Sequence, residues 1–192
     1  MDDSANQRDR IEAAAQAILQ ESGASALTVR HIAERAGVST MGVYNYFGSK
    51  DQVCERLYIA GFEDLGRQVS EVGPSENREA AIFNSARIYL DFYRRNKHRY
   101  ALMFGMGAAD YEPGDSARRA ARKSFAQLAA VVGGLPEGAV PGREDWQLAL
   151  KIWASTHGFI AIKSHMTGIS ESDWEALVLE SVRQLITARP VQ

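Results

Sequence analysis

A short stretch near the amino end of the sequence, residues 28–50, is rich in Asn, Thr, Ser, Tyr, Met, Lys and Arg side chains. Asn can pair with adenine through two hydrogen bonds, Thr and Ser can bond to either kind of base, and Met can contact a thymine methyl group. Tyr, Lys and Arg side chains more often hold phosphates. The candidate DNA-contacting residues are Thr28, Arg30, Ser39, Thr40, Met41, Gly42, Tyr44, Asn45, Tyr46 and Lys50.

The residues around these candidates predict two short helices joined by a turn at 36–38. Apolar residues recur at helical spacing along the first of them: Val29, Ile32, Ala33 and Ala36. Thr28 is placed to cap the first helix, and Ser39 or Thr40 to cap the second. Gly37 can leave the first helix through a left-handed backbone at little cost. This is the helix-turn-helix pattern, whose second helix enters the major groove of DNA.

The second helix, roughly 39–46, has a length that fits this role. At ~1.5 Å per residue it spans about 12 Å, close to the width of the major groove. Val43 and Phe47 are spaced to point inward, which leaves the candidate residues of this helix on the open side. A glycine inside so short a helix costs about 1 kcal/mol relative to alanine. We therefore expect Gly42 on the open side, where the helix backbone would approach DNA closely.

The same residues also allow a different interpretation, in which two amphipathic helices present a tyrosine-rich packing surface. The stretch however resembles the TetR family of bacterial transcription regulators. The matching residues are TVRxIAxxAGVS from Thr28 and VYxYFxSK from Val43, and the resemblance is dense over about residues 10–57. It implies that the region binds operator DNA as part of a homodimer.

The resemblance also implies an all-α chain of two domains. We predict a three-helix DNA-binding domain over residues 8–56, with its helix-turn-helix at about 28–47. A helical domain for effector binding and dimerisation would follow over 57–190. An apolar stripe in residues 8–21 predicts the helix that packs beneath the other two.

Composition is that of an ordinary globular protein. The 192 residues are 45% hydrophobic and carry a net charge of −2, which excludes a polybasic tail binder and a disordered chain. Within 28–50, however, Arg30, Arg35 and Lys50 face only Glu34, so we expect a locally positive patch. The single cysteine, Cys54, fits a reducing compartment. No leader and no run of 18 apolar residues are visible, so we expect a cytoplasmic protein with no membrane partner.

Two helical stretches near the carboxyl end predict an interface between two copies. Residues 144–166 carry apolar stripes on two sides, so both sides must be covered. Paired with a last helix from about 172, they could form a four-helix interface with two-fold symmetry. The candidate dimer residues are Leu148, Ile152, Phe159, Ile162, Met166, Leu177 and Leu185. Trp153, His157 and Gly158 also resemble the Trp/His-Gly signature of one carboxyl-terminal TetR subgroup.

Aromatic residues and one methionine of the second domain are candidates for a small-molecule pocket, with plain core packing as the alternative. They are Phe83, Tyr89, Tyr93, Tyr100, Met103, Phe104, Phe125, Trp153 and His157. The resemblance implies that an unknown effector bound there changes the separation of two recognition helices. These must stand about 34–36 Å apart, or a multiple of that, to enter successive grooves.

No motif for catalysis, for a cofactor or for a metal is visible. The four histidines lack metal-ligand spacing with Cys or carboxylates, and no phosphate-binding glycine loop occurs. We therefore expect a repressor that an effector releases from a palindromic operator, and not an enzyme. The alternatives are a helical protein-interaction module and, third, a small-molecule-processing enzyme that depends on His157.

Overall fold

A computed structural model describes residues 3–73, 75, 77–105, 111–136, 138–163 and 165–188. Helices form nearly all of this part of the chain: α1 (Asp3–Ser22), α2 (Val29–Ala36), α3 (Thr40–Phe47), α4 (Lys50–Ser70), α5 (Arg78–Arg95), α6 (Lys97–Phe104), α7 (Asp115–Gly133), α8 (Arg143–Lys163) and α9 (Glu171–Thr187). No strand occurs among these residues, so the all-α prediction is confirmed. The predicted end of the second domain at 190 lies outside them.

The chain divides into two compact units. The first contains residues 1–63 and 96–121, and the second contains 64–95 and 122–192. Helices α4 and α7 therefore each contribute to both units, and α6 belongs to the first. Within the described ranges, none of the helices is long and apolar enough to cross a membrane.

The core of the first unit forms where the apolar face of α1 meets α2 and α3. Ile11, Ile18 and Leu19 of α1 are at most 1% exposed. Ile32 of α2 and Val43 of α3 pack into the same cluster. Full burial of one such side chain contributes about 1.5–3 kcal/mol, so this contact fixes how α3 is held.

Local hydrogen bonds set the ends of the two short helices as the sequence predicts. The Thr28 hydroxyl accepts from the amide of His31 at 3.1 Å, which begins α2. Gly37 ends α2 with a left-handed φ of 65°. The Ser39 hydroxyl accepts from the amide of Gly42 at 3.0 Å and so caps α3. These caps place α3 at a fixed angle to α2, because both helix ends and the turn between them are hydrogen-bonded.

The second unit packs α5, α8 and α9 around a second apolar cluster. Ile82, Ile152 and Val182, one from each helix, are at most 2% exposed. Arg78, at the start of α5, donates to the Val132 carbonyl at the end of α7. The same guanidinium bonds to a carboxylate oxygen of Asp145 on α8 at 2.7 Å. This one side chain therefore joins three helices.

Candidate nucleic-acid interface

Helix α3 presents an exposed face of polar and apolar side chains. Met41 is 65% exposed and Tyr44 is 50% exposed. Thr40 and Asn45 are also exposed, whereas Val43 and Phe47 on the opposite face are buried. The structure therefore brings four of the predicted base- and phosphate-contacting residues of this helix to one open surface.

Gly42 does not lie on that open surface, contrary to expectation. It is buried, and a Cβ added there would stand 2.9 Å from the side-chain nitrogen of Gln7 on α1. The nearest neighbour of this glycine is therefore the end of a flexible side chain on α1. Tyr46 is also displaced from the open side, since its ring is half-buried and packs against the core of the first unit.

The cations of the helix-turn-helix are more fully paired than the local sequence suggests. Arg30 donates to the Glu34 carboxylate at 2.9 Å, on an exposed part of α2. Arg35 makes two hydrogen bonds, of 2.7 and 2.6 Å, to Glu21 at the end of α1. Exposed pairs of this kind are weak because water and salt screen them, so either arginine can exchange its carboxylate for a phosphate. Lys50, half-buried in the first turn of α4, has no ion pair with the described residues.

Arg10 of α1 holds the turn between α2 and α3, a role that the sequence analysis missed. Its guanidinium donates to the Ala36 carbonyl at 2.5 Å and to the Gly37 carbonyl at 3.1 Å. The carbonyls at a helix end lack partners within the helix, and an arginine is well suited to supply them. No local pattern reveals this contact, because it joins residues 26 and 27 positions apart.

Four of the predicted pocket residues come together inside the second unit. The Trp153 indole nitrogen donates to the Tyr89 hydroxyl oxygen at 2.9 Å. That oxygen lies 3.4 Å from the Nδ1 atom of His157, which it can bond as donor. The Phe125 ring packs at a tilt against Trp153, with the ring centres 5.7 Å apart. The result is an aromatic cluster with three polar atoms in a row.

The remaining pocket candidates do not belong to this aromatic cluster. Tyr100 and Met103 are buried in the first unit, where the Phe104 ring packs at a tilt against Tyr100 with ring centres 4.4 Å apart. Phe83 packs against the core of the second unit beneath the guanidinium of Arg183. Tyr93 is half-buried, and burial together with the charge of Glu171 raises the pKa of its hydroxyl.

The predicted dimer residues separate into two groups. Leu148 and Ile152 are 8% and 2% exposed and lie in the protomer's own core, so they are not available to a second copy. Leu185 packs against the same core, and Phe159 stacks edge-on against Trp174. Ile162, Met166 and Leu177 are each about half-exposed, at 50%, 51% and 46%. These three remain candidates for an interface.

His157 should make the protein less stable in mild acid. Burial lowers the pKa of His157 below its ordinary value of 6.5, so protonation is easier in the unfolded chain than in the folded one. The free energy of unfolding should therefore fall as the pH drops from 7 through 6.5 and level off below the folded-state pKa. In His157→Gln the part of this decrease in the free energy of unfolding that comes from His157 should disappear. Urea denaturation at pH 7.5, 6.5 and 5.5 measures the free energy of unfolding, with the exposed-histidine variant His165→Gln as control. The same dependence of this free energy on pH in the unchanged protein, His157→Gln and His165→Gln would contradict the prediction.

The helix-turn-helix with its exposed second helix defines a class, the DNA-binding proteins that insert one helix into the major groove. Two family models match the chain. Residues 11–57 match the bacterial regulatory proteins of the tetR family, and residues 82–185 match the tetracyclin repressor-like carboxyl-terminal domain. The chain therefore belongs to the TetR family, as predicted, and is a DNA-binding transcriptional regulator.

Solved structures of similar fold cover nearly the whole chain. A transcriptional regulator from Rhodococcus sp. RHA1 is 25% identical, with 96% of this chain and 98% of that one covered and a TM-score of 0.71. A TetR transcriptional regulator from the same organism is 17% identical, covers 98% and 100%, and has a TM-score of 0.67. A TetR-family regulator from Streptomyces coelicolor is 22% identical, covers 94% and 98%, and has a TM-score of 0.64. No curated protein was found to match.

Proposed function

We propose that this regulator acts in the cytoplasm as a homodimeric repressor of a palindromic operator. The observation that carries the proposal is the exposed face of α3, where Met41, Tyr44 and Asn45 stand clear of the first unit. Side chains on a helix that is capped and buried on its other face are held ready for base edges. Two such helices related by a two-fold axis would read two half-sites.

Some residues of the first unit would contact bases, and others would contact phosphates. Thr40, Met41 and Asn45 have the chemistry for base edges, and Asn45 would pair with adenine. Tyr44, Arg30 and Lys50 would hold phosphates. Lys50 lies at the start of α4, where free amides and an ammonium group can converge on one phosphate. Of the other candidates, Thr28 and Ser39 use their hydroxyls as helix caps.

Replacing Asn45 with alanine should weaken binding to the preferred duplex about tenfold. A good bidentate pair with adenine is worth about 1–3 kcal/mol, and 1.4 kcal/mol corresponds to a factor of ten. The free energy of unfolding should stay unchanged, because Asn45 is exposed. The duplex is obtained by selection from a random pool with the full chain, and affinity is then measured by fluorescence anisotropy at fixed salt.

Asn84→Ala is the matched control for this experiment, since Asn84 is exposed on α5 of the second unit and should have no effect. If the Asn45→Ala protein bound every selected duplex as tightly as the unchanged protein, Asn45 would not contact a base in the complex. Failure of the full chain to prefer any duplex would favour the alternative, a surface for a protein partner.

The homodimer would form through the exposed sides of α8 and α9. Leu150 and Ile162 of α8 and Leu177 of α9 are 46%, 50% and 46% exposed. A Cβ at Gly158, between the first two, would meet nothing within 4 Å, so a partner helix has room to approach. The Ser155 and Ser181 hydroxyls are 2.7 Å apart and tie the two helices together beside this face. Four helices would then pack around the two-fold axis.

The effector would bind within 57–190, and the aromatic cluster of Tyr89, Phe125, Trp153 and His157 supports this. Small-molecule sites combine mostly apolar walls with a few directed polar groups, which is the composition of this cluster. An effector that prefers one spacing of the two recognition helices would shift the population toward it and release the operator. Residues 8–56 would remain the DNA-binding part in this division of function.

A further inference from the structure

A groove of about 540 Å³ opens on the second unit, beside the carboxyl-terminal half of α7. Its volume lies in the range of small-molecule sites, about 300–1,000 Å³. One wall is α7 itself, and the other is formed by Leu135 and residues 138–141. The groove does not include the aromatic cluster described above, although Trp146, which lines it, touches that cluster through Phe125 at 4.6 Å between ring centres.

The lining of the groove is largely apolar and partly uncovered. Ala126 and Ala130 supply small side chains along α7, and Leu135 adds a larger apolar one. Two lining residues are large apolar side chains left in contact with water, Val140 at 91% exposed and Trp146 at 38%. Exposed apolar surface that is concentrated in one concave site marks a place where another apolar body binds.

The charge in this apolar lining is positive. Lys123 is the one charged side chain among the described residues that line the groove, and it has no ion pair with the described part of the chain. Asp145, the nearby carboxylate at the start of α8, is engaged by Arg78 at 2.7 Å. A single ammonium group at the edge of an apolar groove is complementary to a ligand with an apolar body and one negative charge.

Backbone hydrogen bonds build the outer wall, so the groove is formed without a ligand. The Leu135 amide donates to the Ala130 carbonyl at 2.9 Å, and the Ala139 amide donates to the Pro136 carbonyl at 3.1 Å. Gly134 and Gly138 turn the segment with φ values of 69° and 80°. A groove held in this way loses little conformational entropy when it is filled.

We propose that this groove binds a monoanionic amphipath, with its apolar body along Ala130 and Trp146 and its carboxylate at Lys123. The ligand class is defined by the lining: a carboxylate or another single negative charge on an aliphatic or aromatic body. The site is separate from the Tyr89–His157 cluster to which the proposed effector was assigned. It therefore stands or fails independently of the repressor mechanism.

Decanoate and its uncharged counterpart decan-1-ol test this proposal in the full-length protein. Titration below micelle-forming concentrations, followed by NMR of ¹⁵N-labelled indoles, should shift the Trp146 indole signal with decanoate. Lys123→Gln should weaken decanoate about threefold to fivefold, the magnitude of a partly exposed charge pair, and leave decan-1-ol unchanged. Val140→Asp should also weaken decanoate by repulsion, and it leaves folding intact because Val140 is exposed.

Arg122→Gln is the matched control, because Arg122 is the neighbouring exposed cation on α7 and does not line the groove. It should change decanoate affinity less than twofold. Ala130→Trp fills the groove and should abolish the binding of both probes, with circular dichroism to show that the helices persist. Three results would overturn the proposal: no shift of Trp146, equal decanoate affinity in Lys123→Gln, or a Val140→Asp protein whose oligomeric state changes, which would show that a second copy covers the groove.

Discussion

Arg10→Met should lower affinity for the operator about tenfold without changing which duplexes are preferred. The guanidinium of Arg10 closes the Ala36 and Gly37 carbonyls at the turn that sets the direction of α3. Hydrogen bonds from a charged group contribute about 1.5–3 kcal/mol, and the lower end applies here because the contact is partly exposed. Methionine keeps the apolar part of the side chain and removes the donors. Without these hydrogen bonds the orientation of α3 varies in the free protein and must be fixed when DNA binds. This cost is the same for every duplex, so affinity falls while the sequence preference stays.

The dependence of affinity on salt separates this role from a phosphate contact. Each cation that neutralises a phosphate contributes about 0.9 to the slope of log affinity against log salt concentration. Arg10→Met should keep the slope of the unchanged protein, whereas Lys50→Gln should reduce it by about that amount. Arg8→Met is the control, since among the described residues Arg8 forms an ion pair with Glu12 alone, at 3.5 Å, on the exposed side of α1. A slope that falls by about one unit in Arg10→Met would instead make Arg10 a phosphate ligand.

The features predicted correctly in the first unit are those decided by residues close in sequence. Thr28, Gly37 and Ser39 set the ends of α2 and α3 through contacts that span three or four residues. Helical periodicity likewise separates the buried Val43 from the exposed Tyr44. Helix caps and helix faces depend on local backbone geometry, so the sequence predicts them before any tertiary contact is known.

The errors in the first unit arise where α1 is laid over the other two helices. Gly42 was expected to face DNA, because the sequence does not show that α1 covers this side of α3. The neighbour that covers it is Gln7, 35 positions away along the chain. The Arg35–Glu21 pair, which neutralises part of the expected positive patch, has the same origin. Periodicity gives the face of each helix but not the side chains that another helix brings to it.

The carboxyl-terminal helices show a related ambiguity. The sequence of α8 is apolar on two sides, which predicts two coverings. It does not say which covering is the protomer and which is a second copy. The structure uses Leu148 and Ile152 for the protomer's core, and it leaves Leu150 and Ile162 uncovered. Residues predicted for one interface are thereby divided between the protomer's core and an exposed surface.

The exposed α8–α9 face is tested most directly by Leu150→Asp combined with Leu177→Asp. Both side chains are 46% exposed, so the protomer should fold with little change in its free energy of unfolding. Two carboxylates per copy would meet two from the partner across the two-fold axis, and the dimer should dissociate at micromolar concentration. Affinity for the full operator should then fall at least 100-fold, because linked half-sites gain about 10²–10⁴ from binding together. Sedimentation velocity and anisotropy measure the two effects.

The base preference of the resulting monomer shows whether the double variant has lost only dimerisation or also sequence recognition. If α8 and α9 only join the two copies, the monomer should bind a single half-site weakly and still prefer the selected sequence. Asn45→Ala should then weaken this residual binding by the same tenfold factor. Val140→Asp controls for an aspartate at an exposed apolar position away from this face and should remain a dimer. A double variant that stays dimeric would exclude this face, whereas a monomer without base preference would mean that α3 depends on dimerisation for its reading geometry.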